Sequence, residues 1–190
     1  MLSLSEMGNS ARVASRVMGS AATGVKNRVL CDLASLLEKS RPAIKRANQT
    51  DIDAAIASGM SAALIDRLTL NDVRLDGLSR DLRALAELPD PVGERYDETV
   101  LPNGMKLCRQ RVPLGVIGVI YESRPNVTID VAGLAIKTGN AAILRGGKET
   151  IHSNLALVAL VREALKANSL PDEVVQFIDT PDIHTVIQSE

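Results

Sequence analysis

Apolar residues in the first half of the chain recur at the three- and four-residue intervals of helices. Residues 5–20 carry the pattern weakly. Val25, Val29, Leu33, Leu36 and Leu37 carry it strongly, from Thr23, a candidate N-cap, to about Ser40. Pro42 suits the first turn of a third helix, which runs through Ile44, Ala47, Ile52, Ala55 and Ile56 to a stop at Gly59. Ser61 and Asn71 are expected to cap two more, the second with Leu75, Leu78, Leu82 and Leu85 on one stripe. These helices read as scaffold.

Pro89-Asp90-Pro91-Val92-Gly93 breaks this pattern and is the best internal boundary, so residues 1–92 form a helical segment. Residues 93–112 follow as a β-hairpin arm, with Leu101-Pro102-Asn103-Gly104 at its turn. Its strands alternate poorly and carry Lys106, Arg109 and Arg111. A charged ribbon of this kind either protects its own edges or pairs with a second subunit; the pattern leaves both open.

Beyond the hairpin the period changes again. Val116–Tyr121 is a short β-branched run, expected to be a buried strand. The loop Glu122–Asn126 follows, and Pro125 pushes Arg124 away from helical angles. From Val127 a helix is expected with Ile129, Ala132, Gly133 and Ile136 on one face and Gly139 at its end. Ala141–Leu144 reads as a second strand, Arg145–Glu149 as its loop, His152–Lys166 as a helix and Val174–Ile178 as a third buried strand. Residues 113–190 therefore predict a βαβαβ half-sheet with parallel strands, an α/β fold of partial, Rossmann-like type. Pro181-Asp182-Ile183 reads as the start of another helix, and a three-stranded parallel sheet ending there is expected to be an incomplete domain.

Loops at the carboxyl ends of parallel strands are where such folds bind ligands. Loops 122–126 and 145–149 each combine cationic side chains with a bend and lead into a helix, which suits an anion. The alternative is a pair of solvated loops whose glycines only turn the chain. No GxGxxG or P-loop sequence names the ligand.

Composition narrows the classes. Hydrophobic residues make up 45% and charged residues 24% of the 190, enough for a packed core. Only 2% are aromatic, which argues against base-stacking platforms, and the net charge of −1 gives no field for nucleic acid or an anionic membrane. Two distant cysteines and an N-terminus interrupted by Glu6, Arg12 and Arg16 suggest a soluble cytoplasmic protein. Cys31 and Cys108 have no histidine near in sequence and read as structural thiols. His152 and His184 lack metal-ligand spacing, so no metal site is predicted, and His152 is expected to be solvated. Glu122 and Asp130 flank the first loop, where acids more often serve the helix dipole than catalysis.

The stretch RVPLGVIGVIYESRPNVTIDVAGLAIKTGNAAILRGGKET closely resembles the γ-glutamyl phosphate reductase family, the proline-biosynthesis branch of the aldehyde dehydrogenase superfamily. The resemblance extends through KNRVL at 26–30, LIDRLTL at 64–70, DPVG at 90–93 and VQFIDTPD at 175–182. It implies NADPH-dependent reduction of γ-glutamyl phosphate, through a cysteine thioester, to glutamate 5-semialdehyde and phosphate. Asn126 matches the side chain that donates to the thioester oxyanion, a role suited to a fixed amide. Arg145 matches the basic position beside the adenosine ribose and, with Gly146, Gly147 and Lys148, implies a site for NADP(H) and its 2′-phosphate. Ser123 and Arg124 are expected to contact the anionic substrate. The resemblance places the catalytic cysteine and catalytic domain beyond Glu190, so these residues alone are expected to be an inactive part of the NADP-binding domain, and the complete protein is expected to form a homo-oligomer through hairpin 93–112. The alternatives are a noncatalytic nucleotide-binding or interaction module, or one chain of a split enzyme.

Overall fold

The computed structural model describes residues 3–179. Five helices open the chain: α1 (Leu4–Gly19), α2 (Thr23–Lys39), α3 (Arg41–Ala57), α4 (Ala62–Leu68) and α5 (Asp72–Glu87). A hairpin of β1 (Arg95–Val100) and β2 (Lys106–Gln110) leads to β3 (Val116–Ile120), α6 (Asn126–Lys137), β4 (Ala141–Arg145), α7 (Ile151–Ala167) and β5 (Val175–Phe177). The last three strands form a parallel sheet in the order β3-β4-β5, with Ile117 opposite Ala142 and Ile143 opposite Gln176.

Capping explains several boundaries. Ser3 and Glu6 make a reciprocal capping box on α1, and Asn71 accepts from the backbone N–H of Arg74 at 2.9 Å to start α5. Thr23 is not the cap of α2, as the sequence suggested; Ala22 holds that position, and the Thr23 hydroxyl donates to Asp90 at 2.7 Å instead. Ser61 caps α4 by backbone position alone, without a side-chain bond. Gly139 follows α6 at φ +73°, the left-handed turn that a glycine adopts without strain.

The core runs through both halves of the chain. Leu30, Leu33, Leu75 and Leu82 from the early helices pack with Ile129, Ile136, Leu144, Leu157 and Val175. The early helices therefore form an outer layer over the crossover helices α6 and α7, and removing a buried leucine such as Leu75 is expected to cost ~2–5 kcal/mol. The other face of the sheet meets α1, where the Gln176 amide donates to the Met7 carbonyl at 2.9 Å. β3 is not fully buried, contrary to the sequence reading: Ile117 and Val119 are half-buried, while Val116, Gly118 and Ile120 are exposed. It is an edge strand, and α1 lies mainly over β4. The hairpin is exposed along both strands, with a register shift between Tyr96 and Thr99 and Asp97 at φ +54°.

Two polar clusters tie the layers together. Lys26 and Lys137, each almost wholly buried, approach Asp90 in the boundary segment. Lys26 pairs directly with the Asp90 carboxylate, and Lys137 donates to Asn27 at 2.8 Å and to the Ala86 carbonyl at 2.9 Å. Asp51 of α3, also buried, accepts from the backbone N–H groups of His152 at 3.2 Å and Ser153 at 2.8 Å. It thus caps α7 from another helix. His152 is accordingly not simply solvated: its Nδ1 lies 2.7 Å from Asp51. His184 and the helix expected from Pro181 fall outside the described residues.

Candidate functional site

Loops 122–126 and 145–149 meet because β3 and β4 are adjacent and parallel, so both strands end at the same edge. Between them lies a cavity of about 440 Å³, lined by Ser123, Arg124, Arg145, Gly146, Gly147 and Lys148 among others. All the residues expected to bind substrate or cofactor, apart from Asn126, share this one cavity. Asn126 opens α6 one residue earlier than the hydrophobic period indicated, and it lines a neighbouring cavity of about 460 Å³. Arg67 and Arg124 line both cavities and so mark their seam.

Beneath the loops runs a chain of hydroxyls and amides. The Tyr121 hydroxyl and Thr128 Oγ1 are 2.6 Å apart, Thr128 donates to Asn154 Oδ1 at 2.8 Å, and Asn154 Nδ2 donates to Thr150 Oγ1 at 3.0 Å. Thr150 in turn donates to the Gly147 carbonyl at 3.1 Å. The chain links the end of β3, the first turn of α6, α7 and the glycine loop, and Thr128, Thr150 and Asn154 are fully buried within it. Burial, opposed by the Thr128 hydrogen bond and the Arg145 charge, pushes the Tyr121 phenol up to about 12.

Both glycines sit where a side chain has no room. A Cβ at Gly146 would overlap Asn154 Nδ2 and stand 3.2 Å from the Tyr121 ring; one at Gly147 would stand 2.6 Å from Glu149 Oε2 and 2.9 Å from Ser123 Oγ. The bare backbone keeps the space between the loops open for a ligand. Ser123 donates to Glu149 at 3.0 Å, joining the loops directly. Arg145 is buried, with a guanidinium N–H donating to the Gly146 carbonyl, whereas Lys148 is exposed. Four cationic side chains line the cavity against two carboxylates, a balance that fits an anionic ligand.

The Asn126 amide donates to Asp130 at 3.3 Å, which leaves its second N–H for another acceptor. Burial raises the Asp130 pKa, the Asn126 hydrogen bond opposes this, and Asp81 adds to it. Cys31 and Cys108, read as structural rather than nucleophilic, are exposed and line neither cavity. Sequence reasoning missed Arg67, Tyr121 and Glu149. Arg67 lay within a segment that carried the resemblance, yet its helix read as scaffold because periodicity reports only the buried face.

This is a dinucleotide-type α/β fold with a cationic cavity at its strand ends, and the chain belongs to the aldehyde dehydrogenase family, which it matches over residues 5–188. It is similar to the γ-glutamyl phosphate reductase of Photobacterium profundum, 53% identical over 98% of this chain and 45% of that protein. The crystal structure of γ-glutamyl phosphate reductase from Thermotoga maritima superposes with a TM-score of 0.95 at 41% identity, again over 98% of this chain and 45% of the other. At 19% identity the fold alone is shared with PnpE, solved in complex with nicotinamide adenine dinucleotide, at a TM-score of 0.72 over 92% of this chain and 33% of PnpE. The chain thus spans a little under half the length of the reductases it resembles.

Proposed function

We propose that these residues are the nucleotide-binding portion of an NADP(H)-dependent γ-glutamyl phosphate reductase acting in cytoplasmic proline biosynthesis. The observation that carries this reading is the convergence of loops 122–126 and 145–149 on one cationic cavity, in a chain about half identical to such reductases. Lys148, exposed and cationic, meets the 2′-phosphate, and the cramped Gly146-Gly147 backbone lets the nucleotide approach. Arg145 supplies charge from beneath the loop. When bound, the nucleotide provides the hydride.

Asn126 holds the acyl oxygen of the reacting thioester with its free amide N–H, and fixing by α6 and Asp130 keeps that donor in place as charge develops. Ser123 and Arg124 orient the anionic substrate. The nucleophilic cysteine belongs to the portion of the reductase that this chain does not match, since neither Cys31 nor Cys108 lines the cavities. The exposed hairpin serves as an arm between subunits.

Replacing the matching part of the Photobacterium reductase with this chain tests the reading. The chimera is expected to oxidise NADPH with γ-glutamyl phosphate, Asn126→Ala to lower kcat by ~10²–10³, and residues 1–190 alone to show no turnover. A folded chimera without turnover, or full kcat in Asn126→Ala, would contradict it.

A further inference from the structure

We infer that Arg67 and Arg124 form a two-guanidinium clamp for the phosphoryl group of the acyl phosphate; the assignment rests on the reductase reading above. Arg124 was expected at the substrate, but Arg67, from a helix read as scaffold, is new to the site. The two are distant in sequence, and both line the cavity of the glycine loop as well as the cavity of Asn126. A group held between them lies at the junction of the nucleotide and the oxyanion donor, where the leaving phosphate of an acyl phosphate belongs.

Charge accounting at the seam supports an anion. Neither Arg67 nor Arg124 makes a side-chain hydrogen bond or ion pair among the described residues. Two of the nearby acids pair with other cations, Asp66 with Arg74 at 2.9 Å and Asp81 with Arg80 at 3.8 Å, while Asp130 accepts from the neutral Asn126 amide. The glycine-loop cavity keeps four cationic side chains against the two carboxylates Glu122 and Glu149. Two guanidinium groups facing one space repel unless an anion lies between them, and their planar forks match the oxygens of a phosphate dianion.

The position of Arg67 is built rather than incidental. Asn48, itself buried, donates to the Leu68 carbonyl at 2.8 Å and accepts from the Leu70 N–H at 2.7 Å. Arg74 donates to the Thr69 carbonyl at 2.7 Å. The chain is therefore pinned immediately beyond Arg67, at the end of α4, while the Arg67 side chain remains exposed at the seam.

A phosphoryl oxyanion could come from the acyl phosphate or from the pyrophosphate of the nucleotide, and the test separates them. Inorganic phosphate is titrated into the 190-residue chain while the arginine side-chain N–H signals are followed by NMR, and NADP⁺ binding is measured by calorimetry. Saturable phosphate binding is expected, weakened ~10-fold or more by Arg67→Ala and by Arg124→Ala and partly retained in Arg67→Lys, with NADP⁺ affinity within about twofold of the parent. Both side chains are exposed, so Tm is expected to hold. Phosphate affinity unchanged in Arg67→Ala would overturn the clamp. So would an equal loss of NADP⁺ affinity, which would assign Arg67 to the nucleotide. Loss of NADP⁺ binding by the parent chain, with the phosphate response intact, would overturn the reductase reading and leave the anion clamp standing.

Discussion

Gly146→Ala probes the construction of the loop most sharply. The added Cβ overlaps Asn154 Nδ2 and presses on the Tyr121 ring at 3.2 Å. Asn154 is fully buried and cannot withdraw without giving up its bonds to Thr128 at 2.8 Å and Thr150 at 3.0 Å. Losing two such hydrogen bonds costs about 1–3 kcal/mol at ~0.5–1.5 each. Crowding a packed site costs about 1–3 kcal/mol more, so the variant is expected to be destabilised by ~2–6 kcal/mol. Urea unfolding followed by circular dichroism measures this, and a double-mutant cycle identifies its cause. In an Asn154→Ala background the overlap with Asn154 is gone, and Gly146→Ala is expected to cost less than ~1 kcal/mol, a coupling of at least ~1 kcal/mol. A single variant within ~0.5 kcal/mol of the parent, or two substitutions whose costs add, would refute the reasoning.

Two further predictions concern the buried charges. Burial pushes Asp90 up, but hydrogen bonds from Lys26, Thr23 and the Val92 N–H outweigh it and hold its carboxyl below the usual range. A depressed acid contributes stability above its unfolded pKa of ~3.9, and that contribution is lost as pH falls through the folded value. Stability is therefore expected to drop below about pH 4 more steeply in the parent than in Asp90→Asn, and Asp90→Ala, which strands the buried Lys26, to cost ~3–5 kcal/mol; equal pH slopes in denaturant titrations would count against this. Asp51→Ala removes the acceptor for the first turn of α7 and is expected to cost ~2–4 kcal/mol, with faster amide exchange at His152 and Ser153. Unchanged exchange there would show that α7 is capped another way.

Much of this fold was legible because its periodicities are clean. The leucine stripe of α5, the glycine stop of α6 and the alternation of strands with helices each follow from one local rule. β3 read as buried because Val116–Ile120 is apolar throughout, and composition cannot report that a strand lies at a sheet edge. Thr23 failed as a cap because its hydroxyl found Asp90, 67 residues away, a contact no local pattern encodes. The same limit hid the Asp51 cap of α7 and the part of Arg67 at the seam. The strand-end loops were legible, since parallel topology fixes where they converge, but the separation of Asn126 into a second cavity depends on the turn at Pro125.

The most direct test of the nucleotide assignment is calorimetric titration of the 190-residue chain with NADP⁺ and NAD⁺, repeated for Lys148→Glu. NADP⁺ is expected to bind ~10-fold or more tightly than NAD⁺, and the substitution to abolish or reverse that preference, since a charge-assisted contact to the 2′-phosphate contributes ~1.5–3 kcal/mol. Equal affinities for the two nucleotides, or a preference that survives Lys148→Glu, would contradict the account.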